Sequence, residues 1–141
     1  MTPVTLGRCW IGRLAHGSDL LESLNALCRT HAIRLGRIEG LGAVQRACLG
    51  FYDQQSQQYT FLERNEELEI TQLTGNVSLK DGMPFVHLHI TLADRSGQAW
   101  GGHVAPGTIL FAAEVIIQEL VGAELQRGWD ETTGLPLWNT P

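Results

Sequence analysis

The residues in this chain with the clearest capacity for chemistry are three histidines. His87 and His89 lie in the run Pro84-Phe85-Val86-His87-Leu88-His89-Ile90, and His103 follows Gly101-Gly102. The first stretch reads as a strand. Alternation then puts the two imidazoles on one sheet face, about 6.6–7 Å apart along the backbone. Asp94-Arg95-Ser96-Gly97 is a turn signal, and a chain that folds back there returns His103 to the level of His89. Three neutral imidazoles at the end of a hairpin make an open zinc-type site, with a fourth position left for water or a ligand. Nickel, copper or iron suit the same donors. The same residues also read as incidental imidazoles with no ion.

Register decides between convergence and dispersal. A four-residue loop at 94–97 would set His103 opposite Leu88, facing the wrong way. A three-residue loop, or a bulge at the two glycines, brings it back to His89. The pattern predicts such an irregularity.

Other residues are weaker candidates. Glu69 and Glu114 are carboxylates inside strand patterns. Each reads as an acceptor for an imidazole N–H, as a base beside the metal, or as a carboxylate on a solvated or intersubunit face. Tyr52 and Trp100 either line a pocket or pack in the core. Gly101 and Gly102 let another backbone approach closely. His16, in a loop, and His31, near a helix end, read as surface or capping residues. No adjacent Ser-His-Asp or Cys-His arrangement supports covalent catalysis.

Composition narrows the class. A chain of 141 residues suits one domain with its own core. Its net charge of −5, with ten Lys and Arg, opposes direct binding to nucleic acid phosphates. No apolar run is long enough to cross a bilayer, and Met1-Thr2-Pro3-Val4 lacks a secretion-signal pattern. A cytoplasmic protein is therefore expected. Cys9, Cys28 and Cys48 form no CxxC pair and read as reduced thiols.

The elements that must position the histidines follow from periodicity. Residues 6–14 read as a strand. Asp19 is an N-cap with Glu22 three residues on, and Leu20, Leu21, Leu24, Leu27 and Cys28 give an amphipathic helix over 19–31. Gly40-Leu41-Gly42-Ala43-Val44 is followed by no helix pattern, so it reads as a bulge or bend between strands and not as a phosphate loop. Strands are expected at 47–52, 58–62, 67–73, 75–79, 85–92, 98–104 and 108–120. In the last, Ile109, Phe111, Ala113, Val115 and Ile117 share one face. Leu110, Ala112, Ile116 and Leu120 share the other, so both faces require cover from the helix or another subunit. Residues 122–141 read as an irregular tail in which Trp129 and Trp138 dock. The whole is a single α+β domain, 1–141, with a largely antiparallel sheet and one main helix.

Residues 41–120 resemble the plants-and-prokaryotes-conserved (PPC) domain family. Five pieces carry the likeness: Gly40-Leu41-Gly42-Ala43-Val44; Leu49-Gly50-Phe51-Tyr52; Leu68-Glu69-Ile70 with Leu73-Thr74-Gly75; Asp81-Gly82-Met83-Pro84-Phe85-Val86-His87-Leu88-His89; and Gly101-Gly102-His103 with Gly107. With the opening strand and helix, the match spans about residues 6–121. The resemblance implies a core over that span, assembly as a homotrimer, and a metal on the histidines matching His87, His89 and His103 in some members. Plant members carry the domain behind an AT-hook and act at chromatin, and many stand-alone prokaryotic members are assigned to DNA binding. This chain has no AT-hook. The plant Gly-Arg-Phe-Glu-Ile-Leu segment matches Glu66-Glu67-Leu68-Glu69-Ile70-Thr71, so Glu67 stands where that segment has Arg.

Three functions follow as expectations. The first, resting on the resemblance, is a regulatory protein associated with DNA or a DNA-bound partner and carrying a three-histidine metal site. The second is a zinc-dependent enzyme or small-molecule sensor. There the metal polarises a water or takes a small carboxylate-like ligand in a cleft between subunits. The third is an interaction scaffold with a structural metal or none.

Overall fold

The computed structural model describes residues 1–139. In chain order the elements are β1 (Thr5–Leu14), α1 (Leu20–Thr30), β2 (Gly36–Asp53), β3 (Gln58–Arg64), β4 (Leu68–Lys80), β5 (Met83–Ala93), β6 (Ala99–Val104), β7 (Ile109–Val121), β8 (Arg127–Asp130) and β9 (Leu135–Trp138). β1 to β7 form one antiparallel sheet in the order β1-β7-β2-β4-β5-β6, with β3 also on β2. β6 then returns to β2 through Leu49–Val104 and Gly50–His103, closing a ring of β2, β4, β5 and β6. The expected α+β domain with one helix is what the described residues form.

The helix begins as its sequence dictates. One Asp19 carboxylate oxygen accepts the Glu22 N–H at 3.0 Å. The other accepts the Gly107 N–H at 2.6 Å and so fixes the helix start to the turn between β6 and β7. The buried stripe Leu20, Leu24 and Cys28 faces the sheet core of Ile38, Val44, Leu73, Val77, Leu88 and Leu110. On the helix's polar margin, Asn25 Oδ1 accepts the Val86 N–H at 3.0 Å. β6 pairs with β5 only over 89–93, so this side chain supplies a partner that no strand provides.

β2 is one strand of 18 residues, and of the bulge or bend expected at 40–44 it is the bulge that forms. It stays continuous because the bend is taken up by bulges. Its register against β4 shifts between Gly40 and Gly42, and against β7 around Val44. Gly42 has φ +146°, and a side chain there would collide with the Ala112 backbone. The expected strands at 67–73 and 75–79 likewise merge into β4, because Gly75 admits the His87–Leu88 backbone where any Cβ would clash.

A bulge in β7 between Leu110 and Ala112, opposite Ala43 and Val44, changes the faces of that strand. Leu110 is buried and Phe111 exposed, whereas Ala113, Val115 and Ile117 are buried and Ile116 exposed. Leu110 therefore joins the core face, and Phe111 leaves the face that strict alternation assigned to it. A second correction concerns the expected irregular tail, of which residues 122–139 are described and 140–141 lie outside the described residues. Arg127–Asp130 and Leu135–Trp138 form an antiparallel hairpin, with Arg127 opposite Trp138. Asp130 builds its turn by accepting the Thr133 N–H and hydroxyl, each at 2.7 Å. Two four-residue strands are too short for their periodicity to stand out from a loop.

Leu24 is fully buried between helix and sheet. Leu24→Ala is expected to lower unfolding free energy by about 2–5 kcal/mol, read as a shifted urea midpoint with an unchanged slope.

Candidate metal centre

The turn after β5 sets the site. Asp94 N–H donates to the Gln98 carbonyl at 3.1 Å, leaving a three-residue loop, Arg95-Ser96-Gly97, with Gly97 at φ +81°. Asp94 Oδ1 accepts from Ser96 N–H, Ser96 Oγ and Gln98 N–H at 2.7–3.1 Å, and Oδ2 accepts from the Trp100 indole at 3.3 Å. The Ser96 hydroxyl bond leads these in holding the Asp94 carboxyl down at about 2. The shortened loop gives the register His89–His103, Ile90–Gly102 and Ala93–Ala99. The predicted irregularity is there, and His103 faces the same way as His89.

The three imidazoles cluster. Ring centroids are 5.1 Å apart for His87 and His89, 4.9 Å for His87 and His103, and 5.8 Å for His89 and His103. One nitrogen from each lies within 4.8 Å of the others. Donors around a tetrahedral zinc sit about 3.3 Å apart, a spacing that small ring rotations reach. His87 and His103 are half-buried and His89 is exposed. Burial pushes His87 down to about 4, helped by the positive charges His103, Arg127 and His89 would bring. His103 is lowered by burial first, then by His89 and Arg127. Both rings are thus neutral at pH 7 and keep lone pairs for a metal. His103 Nδ1 is buried with no hydrogen-bond partner, an orphaned donor or acceptor of the kind a ligated ion explains. The donor set fits a divalent transition metal with an open position.

Backbone closeness makes room for the cluster. A Cβ at Gly102 would lie 2.8 Å from Gly50 O, and one at Gly101 2.9 Å from Ile90 O. Side chains at these positions would force β6 away from β2 and β5. Gly50 itself faces His103: a Cβ there would be 3.4 Å from the ring and 3.2 Å from Tyr59. A small cavity of about 230 Å³ opens beside His89, lined by Thr74, Thr91, Gly101 and Gly102.

The remaining sequence candidates are dispersed. Tyr52 is near the cluster: its ring lies 5.1 Å from Tyr59, which lies 5.3 Å from His103. Trp100 packs on the core, with the Arg64 guanidinium 3.8 Å over its ring. Glu69 is exposed in a separate groove of about 820 Å³ with Glu66, Glu67 and Phe111. Glu114 is exposed opposite Arg13 and Leu41, in another groove. His16 Nδ1 donates to the Phe111 carbonyl, and the His31 ring lies tilted against Trp10. Sequence reasoning missed Tyr59, Asn76 and Arg127. Asn76 stands opposite His87, and its Oδ1 accepts Arg127 Nη2–H at 2.9 Å. The aromatic alternation Tyr59-Thr60-Phe61 on β3 was an available signal. Arg127 had none, because only the tertiary fold carries it to β4.

A family model for the Plants and Prokaryotes Conserved (PCC) domain matches residues 1–121, and the chain belongs to that family. The metal-containing protein AF0104 from Archaeoglobus fulgidus shares 37% identity and superposes with a TM-score of 0.94, covering 99% of each chain. A plant- and prokaryote-conserved protein from Pyrococcus horikoshii gives 33% identity and 0.95, over 100% of this chain and 97% of that one. A "putative DNA-binding protein" from Ralstonia eutropha JMP134 gives 27% and 0.82, over 93% and 90%. Among curated proteins, a Bifunctional protein GlmU from Synechococcus sp. (strain JA-2-3B'a(2-13)) is 35% identical over 124 residues, 86% of this chain. The chain spans only 18% of that relative's length.

Asp94 has a folded-state value near 2, below the ordinary 3.8, so its stabilisation is complete above about pH 4 and is lost as pH falls toward 2. Asp94→Ala is expected to lower the thermal midpoint at pH 7. The gap from wild type narrows on acidification over that window, which melting curves at stepped pH check.

Proposed function

We propose that this chain is a metal-centred binding module. His87, His89 and His103 hold a divalent transition metal, zinc in the first instance, and the open position meets a ligand. The carrying observation is the convergence of three imidazole nitrogens, one from each histidine, within 4.8 Å of one another. The metal-containing name of the Archaeoglobus relative supports it. A chain of this kind occupying under a fifth of a GlmU-named protein fits a module that works beside an enzyme. When bound, the metal supplies Lewis acidity at the open position. The protein's own residues fix three donors and keep two of them half-shielded from water. Three cysteines without a disulfide fit a reducing compartment such as the cytoplasm. Among the described residues, no helix is long and apolar enough to cross a membrane.

We propose further that the module is a homotrimer. The outer sheet face exposes Ile11 (81%), Leu41 (59%) and Ile116 (40%) around one groove, next to Glu39 and Glu114. That apolar cluster suits a second copy. Leu41→Glu is expected to convert trimers into monomers, read as mass by light scattering.

DNA association is the second reading, favoured by the names of the Ralstonia relative and of a Bacteroides thetaiotaomicron one. The net charge of −5 opposes it. Titration of duplex DNA at rising salt decides: a steep fall in affinity supports it, and no binding at low salt removes it.

The metal reading predicts one ion per chain by elemental analysis of purified protein and none in a variant with all three histidines changed to Ala. Loss of partners outside the ligand set alone weakens metal sites by about 10–100-fold, so His89→Ala is expected to cost at least about tenfold in affinity. Equal metal content in wild type and the triple variant would remove the site.

A further inference from the structure

We infer that Arg127 is the second anchor for an oxyanion, a carboxylate or phosphate group, bound at the three-histidine centre, and that the β8–β9 hairpin is the element that delivers it. The inference rests on the metal reading given above.

Arg127 is placed by three hydrogen bonds to neutral groups. Nε donates to Ser78 Oγ at 2.9 Å, Nη1 to the Pro136 carbonyl at 3.0 Å and Nη2 to Asn76 Oδ1 at 2.9 Å. Asn76 and His87 are direct partners across β4 and β5, so the guanidinium sits beside the histidine cluster. Phe85 and Trp138 lie 5.3 and 5.7 Å from its centre. The hairpin is seated on the same wall as the cluster. Tyr52 hydroxyl donates to the Thr133 carbonyl at 2.7 Å, Gln57 Nε2 to Thr132 at 3.2 Å, and Leu79 N–H to Leu125 at 2.9 Å. Tyr52 touches Tyr59, and Tyr59 touches His103.

The charge in this region is unbalanced. Arg127 is half-buried, yet among the described residues no carboxylate forms an ion pair with it, while Arg8, Arg34, Arg37 and Arg64 each have one. Among the described residues the converging group consists of three histidines, with no Asp or Glu in it. Three neutral imidazoles do not offset a divalent ion. The ion's charge and the guanidinium's then add in a partly dry pocket, where uncompensated charge is costly. A guanidinium has five N–H donors and three are used, so one N–H remains on each terminal nitrogen. An oxyanion with one oxygen at the open metal position and another toward Arg127 lowers the net charge at both. Water compensates neither.

The test uses the full chain loaded with cobalt(II), whose visible absorption reports its ligands. Acetate and inorganic phosphate are titrated separately, and whichever alters the bands identifies the better oxyanion class. Arg127→Gln is expected to keep one cobalt per chain and to need at least about tenfold more anion for the same change, the effect of one charged hydrogen-bonding partner. Arg127→Lys, which keeps the charge and loses the planar fork, is expected to fall between. Wild type that shows no response to either anion, or Arg127→Gln that titrates like wild type, overturns the inference and leaves the metal centre standing. Wild type that takes up no cobalt removes the metal centre and the inference together. Where Arg127→Gln does not fold, Arg127→Lys carries the test, and a titration identical to wild type overturns the inference.

Discussion

One carboxylate governs the register on which the site depends. Asp94 gathers two backbone N–H groups, a hydroxyl and an indole N–H into a turn of three residues. With one more residue in that loop, every side chain of β6 would exchange faces, because strand periodicity is two. His103 would then enter the core, and Trp100, which packs there, would leave it. The turn thus decides at once which side of β6 is oily and whether three rings meet.

The second constraint is the curvature of β2. Its first half pairs with β4 and β7, its second with β3 and β6. A straight strand could not reach both sets. The bulges around Gly40–Arg46 bend it, and Gly50 then comes against His103 without a side chain to push the ring away. Packing, hydrogen bonding and the placement of the donors are therefore one problem with one solution. Electrostatics follows from the same geometry, since Arg127 is held on Asn76, directly across from His87.

Local chemistry made much of this legible before any coordinates. Asp19 and Glu22 announced the helix start, and the two-residue spacing of His87 and His89 announced a shared face. Asp94 to Gly97 announced the turn, and the loop length needed for convergence could be worked out from parity alone. What stayed hidden was mostly non-local. The reversal of faces in β7 originates in a bulge at Phe111, where β7 moves two residues against one of β2, and no glycine or turn residue there marks it. Glu69 and Glu114 looked like useful carboxylates because nothing in a linear pattern says which groove a strand residue faces. Arg127 lies in a segment whose strands are too short to show alternation, and its importance arises only when that segment folds back over Asn76 and Ser78.

The closed ring of strands has a consequence for how the chain reaches its native state. β2 makes hydrogen bonds to four other strands; β6 closes the ring through Val104, more than fifty residues after Leu49, and β7 pairs from still further along the chain. A nascent chain leaving the ribosome can pair β2 with β3 and β4, but its ladders to β6 and β7 stay open until those strands have emerged. Folding dominated by such distant pairings is slow, and unpaired strands in the interval are open to neighbouring polypeptides.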